Sequence, residues 1–458
     1  MKHRIIKHIL FLIFLSVVFT PCFSTEKDSL LKELEIGVDI KKPAIYSRLS
    51  EITLNENNIK QSKEHALNSL EFALKYNLQK DEINAYIRLF EVYSKLNNDS
   101  LAIEYAYKSI ELLTKPNSIA EIYKKIGVFY FNKGKYILTE NFFLKQLEYT
   151  KQSKDTLLLA NNYFNLAYAN LKAQKYEPAL DFYKKSLLLY IHLNERQRIS
   201  DAINDLGILY RQLGKHNESL KYFLEAEQMK KKLQDIKGLA NVYNNIGNIY
   251  WDKNNYDEAL EFYNQALEIR KKLFLEKEYM TTLNNIANVY TQKGESFRAL
   301  YYLREVYKNA TKINDRYLQA TALLNLANAY KKVKQYSKAY NYLLKAENLT
   351  KQIDNPELKK TLCIGMVNYH KKNNNYRKAF YYQKKLTDIQ KTLITSRYQN
   401  KSKELKQLLK YETDEQQSQI LKLSSQLKEQ NRHKKWFILY SIISSLTLVF
   451  VILYKIKK

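Results

Sequence analysis

From residue 121 to residue 400 the chain repeats itself every 40 residues without an insertion. Seven blocks begin at Glu121, Asn161, Asp201, Asn241, Thr281, Thr321 and Thr361. Their seventh places hold Gly127, Ala167, Gly207, Gly247, Ala287, Ala327 and Val367, and their nineteenth places Thr139, Ala179, Ser219, Ala259, Ala299, Ala339 and Ala379. The tenth place holds Tyr130, Tyr210, Tyr250, Tyr290 and Tyr330, with Asn170 and His370 in the other two blocks. A unit this short cannot bury its own apolar face, so neighbouring units have to stack into one continuous core.

Each block reads as two amphipathic helices. In the fifth, Leu283, Ile286, Ala287 and Tyr290 share one face of the first helix, and Ala299, Leu300 and Leu303 one face of the second. Small residues where the helices cross let the backbones approach, and the tyrosine fills the adjacent gap. Turns such as Lys133-Gly134-Lys135 and Leu213-Gly214-Lys215 place glycine where positive φ is needed. Composition agrees: 9 Gly and 5 Pro in 458 residues disfavour sandwiches and barrels. The 39 Tyr and 19 Phe are spread along the chain, as a core rebuilt many times requires.

Tyr243, Ile246, Gly247, Tyr250, Ala259, Tyr263 and Ala266 carry a recognisable signature, and the pattern resembles the tetratricopeptide repeat. The resemblance implies an all-α, right-handed superhelical solenoid. The common unit has about 34 residues, so this one lengthens its helices by about 9 Å and lacks the closing proline. In that respect it is similar to the long-helix variants of kinesin light chains and related cargo adaptors. Leu89, Tyr93, Ala102 and Ile103 mark a further repeat within 84–120, and Ala66, Leu67, Leu70 and Ala73 a degenerate one within 44–82.

The expected organisation starts with a signal peptide over 1–24, with Lys2, Arg4 and Lys7 before the apolar run Ile9 to Phe19 and cleavage before Thr25. A lead-in (25–43), degenerate repeats (44–120) and seven full repeats (121–400) follow. A helical stalk (401–434) comes next, either a short coiled coil making a homodimer or a single helix resting on the last repeat. The segment 435–455 reads as one transmembrane helix, uncharged from Trp436 to Tyr454, before a tail at 456–458. These features predict a single-pass cell-membrane protein whose repeats are exported. One cysteine, Cys363, remains after leader removal and reads as a small apolar residue on a helix.

The resemblance also implies that the first helix of each repeat lines a concave surface. That surface would carry Asn244, Asn248, Trp251, Asn284, Asn288, Thr291, Asn328, Lys331, Asn368 and Lys371. An asparagine amide both donates and accepts, so one per repeat can hold an extended peptide. Trp251 would anchor apolar groups, and Lys331 with Lys371 would favour an acidic segment. The other reading of these asparagines, with Asn165, Asn245, Asn285 and Asn325, is hydrogen bonding between neighbouring helices; both stand at this point. A carboxylate-clamp site is not expected, because its lysine places hold Asn244, Asn284, Leu324 and Ile364.

No catalytic residues, cofactor or metal ligands are expected. The histidines, His3, His8, His65, His192, His216, His370 and His433, lack metal-ligand spacing, and no phosphate-binding glycine loop or nucleophile elbow occurs. The net charge of +28 is dispersed over polar helix faces and does not by itself indicate nucleic acid. The sequence therefore predicts a membrane-anchored adaptor for protein or peptide partners. The alternative is the sensory part of a bacterial receptor whose kinase or DNA-binding output is missing or separately encoded.

Overall fold

The computed structural model describes residues 26–411, apart from 354, 394, 396–398, 401 and 405, together with 428, 429 and 432. Among them the chain is an all-α helical repeat solenoid with no strand, divided into two units. The first comprises residues up to 172 with 181–189; the second comprises 173–180 and everything from 190.

In the first unit, α1 (Glu26–Ile36) precedes four helical hairpins. These are α2 (Lys42–Asn55) with α3 (Ile59–Lys75), α4 (Gln79–Lys95) with α5 (Asp99–Leu112), α6 (Pro116–Asn132) with α7 (Tyr136–Ser153), and α8 (Thr156–Lys172) with α9 (Tyr176–His192). Helix α9 runs on into residues of the second unit. Between α5 and α6 the regular spacing breaks, because Leu113 is extended (φ −86°, ψ 137°) and Pro116 sits in the first turn of α6, where its missing N–H costs nothing.

The second unit continues with α10 (Arg196–Gln212), α11 (His216–Lys232), α12 (Ile236–Asp252), α13 (Tyr256–Lys272), α14 (Glu276–Gln292), α15 (Ser296–Lys312), α16 (Arg316–Lys332), α17 (Tyr336–Thr350) and α18 (Pro356–Lys372), then helix over 376–393. Most have 17 residues, about 25 Å of helix. Three-residue turns join most of them and close the preceding helix in a common way, whereas residues 351–355 separate α17 from α18. After α10, Lys215 N–H donates to Tyr210 O (2.9 Å) and Gly214 N–H to Arg211 O (2.9 Å), which satisfies carbonyls the helix leaves open. The middle turn residue is left-handed. Gly214 (φ 73°) and Gly294 (φ 85°) fill that place, but so do Gln234, Asn254, Asn314 and Lys334 (φ 54° to 61°). Glycine is thus one solution among several, which explains how a glycine-poor chain makes so many turns.

Two contacts recur in the hairpins from α10 to α17. At the crossing, a Cβ on Gly207 would lie 2.6 Å from the Phe223 ring, and one on Gly247 2.7 Å from the Tyr263 ring. Where the facing residue is leucine, the seventh place tolerates alanine: Ala287 shares a cluster with Leu303, and Ala327 one with Leu343. Beside the crossing, rings stack between the helices. Tyr210 lies on Tyr222 (5.1 Å between centroids, 15°), Tyr250 on Phe262 (5.5 Å, 12°), Tyr290 on Tyr302 (5.8 Å, 5°) and Tyr330 on Tyr342 (5.2 Å, 12°). His370 takes the tyrosine's place and stacks on Tyr382 (5.7 Å, 9°). It is buried, its Nε2 has no hydrogen-bond partner among the described residues, and burial pushes its pKa down. The first unit uses the same devices at Gly127 against Phe143 and in the stack of Tyr130 on Phe142 (5.5 Å, 14°). Cys363 is buried in the cluster that holds Leu343 and Met366.

One buried charge is neutralised locally. Lys230 (3% exposed) on α11 pairs with Asp201 on α10 and with Asp235 (2.7 Å), the N-cap of α12. Burial alone would raise the Asp235 pKa, but hydrogen bonds from Lys230, Gln197 and Gly238 N–H outweigh it and bring it from 3.8 down to about 2.

The single-pass membrane location expected from the sequence is overturned. Among the described residues no helix is long and apolar enough to cross a membrane. The physical reason is their amphipathicity: apart from α1, which has no buried residue, the helices bury one face against their neighbours and turn lysine, glutamate and asparagine outward. The segments assigned to the signal peptide (1–24), the transmembrane helix (435–455) and the tail (456–458) lie outside the described residues, as does most of the stalk (401–434).

Two predictions test this account. Gly207→Ala should destabilise the fold by about 1–3 kcal/mol, and Phe223→Leu in the same chain should recover part of that loss, as read from urea denaturation midpoints. Because the folded Asp235 pKa lies below the unfolded value, its stabilisation is present above about pH 4 and is lost as pH falls through about 2. The denaturation midpoint should therefore drop over that window, and Asp235→Asn should flatten the drop.

Candidate peptide-binding groove

The ten residues singled out from the sequence all lie in the second unit, and the structure separates them by role. Asn285 Nδ2 donates to Asn244 Oδ1 (3.3 Å), and Asn325 Nδ2 to Asn284 Oδ1 (2.7 Å). With Asn245 donating to Asn204 (3.2 Å), these bonds tie successive first helices together one repeat at a time. Asn244 and Asn284 are therefore acceptors in a structural ladder. Asn248 accepts from the Tyr263 hydroxyl (2.7 Å). Thr291 is buried, and its hydroxyl donates to Ala287 O (2.8 Å). Trp251 is half-buried against Tyr256 (5.6 Å between centroids). Asn288, Asn328 and Asn368 differ, because among the described residues their side chains make no hydrogen bond.

Two of those three open into one cavity. A groove of about 560 Å³ lies between α16, α17 and α18, with Asn328, Lys331 and Asn368 on its walls. Its apolar surface comes from Leu324, Leu343 and Ile364. Gly365 shapes it, since a Cβ there would lie 2.7 Å from Leu343 Cδ2. Lys371 is exposed but does not line the groove; its neighbour Lys372 does. Lys332, Lys334, Tyr336 and Tyr369 were not singled out from the sequence and also line it. Lys372 Nζ sits 4.4 Å above the Tyr336 ring, and Tyr369 stacks on Tyr340 (4.2 Å, 6°).

The groove is cationic. Four lysines line it, no lining residue among those described is a carboxylate, and none of the four is in an ion pair among the described residues. Comparison within the chain shows what has been removed. Three repeats earlier, Arg211 and Asp252 hold the places of Lys331 and Lys372, and they form a two-point ion pair (Nε–Oδ2 2.6 Å, Nη2–Oδ1 3.1 Å). In the groove both places carry positive charge. Aligning the repeats by column would have exposed this: Gln212, Asp252 and Gln292 give way to Lys332 and Lys372.

Paired helices on a 40-residue period, small residues at most crossings and an asparagine ladder between repeats define a helical-repeat scaffold. Residues 118–191, 198–272 and 278–352 each match the family model of the tetratricopeptide repeat, and the chain is a tetratricopeptide-repeat protein. Solved structures share the fold at low identity. The apo form of the quorum sensor NprR from B. thuringiensis is 17% identical, with 78% of this chain and 99% of that one covered and a TM-score of 0.55. A Rap protein complexed with Competence and Sporulation Factor is 14% identical, with 78% and 99% covered and a TM-score of 0.50. A STAND signal-transduction ATPase with a tetratricopeptide-repeat sensor, from Pyrococcus horikoshii, is 16% identical, with 78% and 54% covered and a TM-score of 0.52. No curated protein matches the sequence.

The split among the asparagines is testable by stability alone. Asn284→Ala leaves Asn325 without its acceptor and should cost about 1 kcal/mol. Asn328→Ala removes no bond and should stay within about 0.5 kcal/mol of the parent in the same urea titration.

Proposed function

We propose that the groove between α16, α17 and α18 binds an extended, acidic segment of a protein or peptide partner, so that the chain works as an adaptor. The observation that carries this reading is the replacement of the Arg211–Asp252 pair by Lys331 and Lys372, which among the described residues leaves cations without a counter-charge beside the unbonded amides of Asn328 and Asn368. The amides pair with peptide N–H and C=O groups, the lysines attract carboxylates, and Leu324 and Ile364 receive apolar side chains. Binding protein or peptide, without chemistry, suits the scaffold. A sensory role is the second reading. It is favoured by the fold shared with NprR, described as a quorum sensor, and with a Rap protein bound to Competence and Sporulation Factor.

A fluorescein-labelled peptide alternating Glu with Leu should bind the full chain, as followed by anisotropy, and its Lys–Leu counterpart should not. Lys331→Glu with Lys372→Glu should weaken binding by about tenfold or more, and added salt should weaken it further. Asn328→Ala with Asn368→Ala should weaken it by about fivefold with the melting temperature unchanged. Equal binding of both peptides, or indifference to the lysine reversals, would rule the reading out.

A further inference from the structure

In the second unit the second helices α11, α13, α15 and α17 each send one side chain into an equivalent buried slot. Its occupants are Lys230, Arg270, Ala310 and Thr350, none more than 5% exposed. Lys230 is neutralised there by Asp201 and Asp235. One repeat on, the slot holds Arg270, but Asn241 and Leu275 stand where those two aspartates stood. Arg270 keeps its cation and loses both counter-ions.

Its remaining partners are neutral oxygens. Nη2 donates to Asn241 Oδ1 (3.1 Å), and Nη1 to Asn244 Oδ1 (3.3 Å), Glu278 O (3.1 Å) and Thr282 Oγ1. Nε is buried without a partner. Burial pulls the Arg270 pKa down, and the Glu278 carboxylate opposes that only in part. A buried guanidinium with no hydrogen-bonded carboxylate is costly unless something supplies the missing charge.

Arg270 and Leu275 both line a cavity of about 240 Å³, smaller than the roughly 300–1,000 Å³ of drug-sized sites. Lys271 and Lys312 also line it, against the one lining carboxylate, Glu276. Phe274 completes it and is anomalous on its own account. It occupies the left-handed place of its turn (φ 53°), the one apolar side chain among the described residues to do so, and is 88% exposed. A bulky residue there is strained, and packing within the chain does not use the ring.

We propose that this cavity binds a carboxylate carried on an apolar group, the carboxylate restoring the negative charge that Asp201 and Asp235 provide one repeat earlier and the apolar body lying against Phe274. Two sources share that chemistry: a small apolar acid, and the C-terminus of a peptide ending in an apolar residue.

Calorimetric titration of the full chain tests this, with 3-phenylpropionate against 3-phenylpropionamide, and a short peptide ending in Phe against its C-terminal amide. At least one acid should bind, with its amide weaker by about tenfold or more. Tighter binding of the peptide identifies a chain terminus, and equal or tighter binding of phenylpropionate a small acid. Leu275→Asp returns the internal counter-ion, so it should abolish acid binding and raise the melting temperature. Phe274→Asn takes the residue that neighbouring turns carry, and it should weaken the acid about fivefold while leaving the fold as stable or more so. Lys331→Glu, in the separate groove, should leave this binding intact. The proposal is overturned if neither acid binds, if the amides bind as well as the acids, or if Phe274→Asn and a folded Leu275→Asp both leave acid binding unchanged.

Discussion

Everything in this fold depends on how closely two helix backbones can cross within one hairpin. At Gly207 and Gly247 there is no room for a methyl group, because the ring of Phe223 or Tyr263 occupies that space. Where leucine faces the crossing, alanine suffices, as at Ala287 and Ala327. The small residue and its facing side chain therefore act as a matched pair, and the ring stack beside them fixes the rotation of one helix on the other. Because each hairpin is set this way, the next one meets a surface of known shape, and the repeat length cannot drift without breaking register.

Between hairpins, polar groups do the joining. The asparagine ladder through Asn204, Asn244 and Asn284 places one hydrogen bond per repeat between successive first helices. Charges follow a similar rule in the earlier repeats of the second unit, where Arg211 meets Asp252 and Lys230 meets two aspartates. The two candidate sites are the places where that rule is broken. Lys331 and Lys372 have no acid between them, and Arg270 has lost both of its own. In a repeat protein the intact repeats act as internal controls, so a departure from the column pattern has a direct physical meaning.

Much of the fold was legible in the sequence because periodicity reports packing: the blocks, the helix pairs and the crossing residues follow from it. The left-handed turn place was only partly legible, since Gly134 and Gly214 advertise it and Lys334 and Phe274 do not. Of the binding residues expected, Asn328, Lys331 and Asn368 meet in the groove. Asn244, Asn248 and Asn284 are held by protein partners, and Thr291 is turned inward. Nothing in an asparagine's identity says whether its amide has found a partner 41 residues away. The membrane location failed for another reason: it rested on terminal segments, while the described helices spread their apolar residues along one face only.

The sequence by itself determined the repeat, its register and the amphipathic helices, since local periodicity and the size of a side chain at a fixed place are sufficient to specify a hairpin that must stack. Only the tertiary structure decided which polar side chains are consumed in holding the stack and which make no hydrogen bond among the described residues. That depends on distances between residues a whole repeat apart, where Asn325 reaches Asn284 and Asn328, three places on, meets no partner among the described residues.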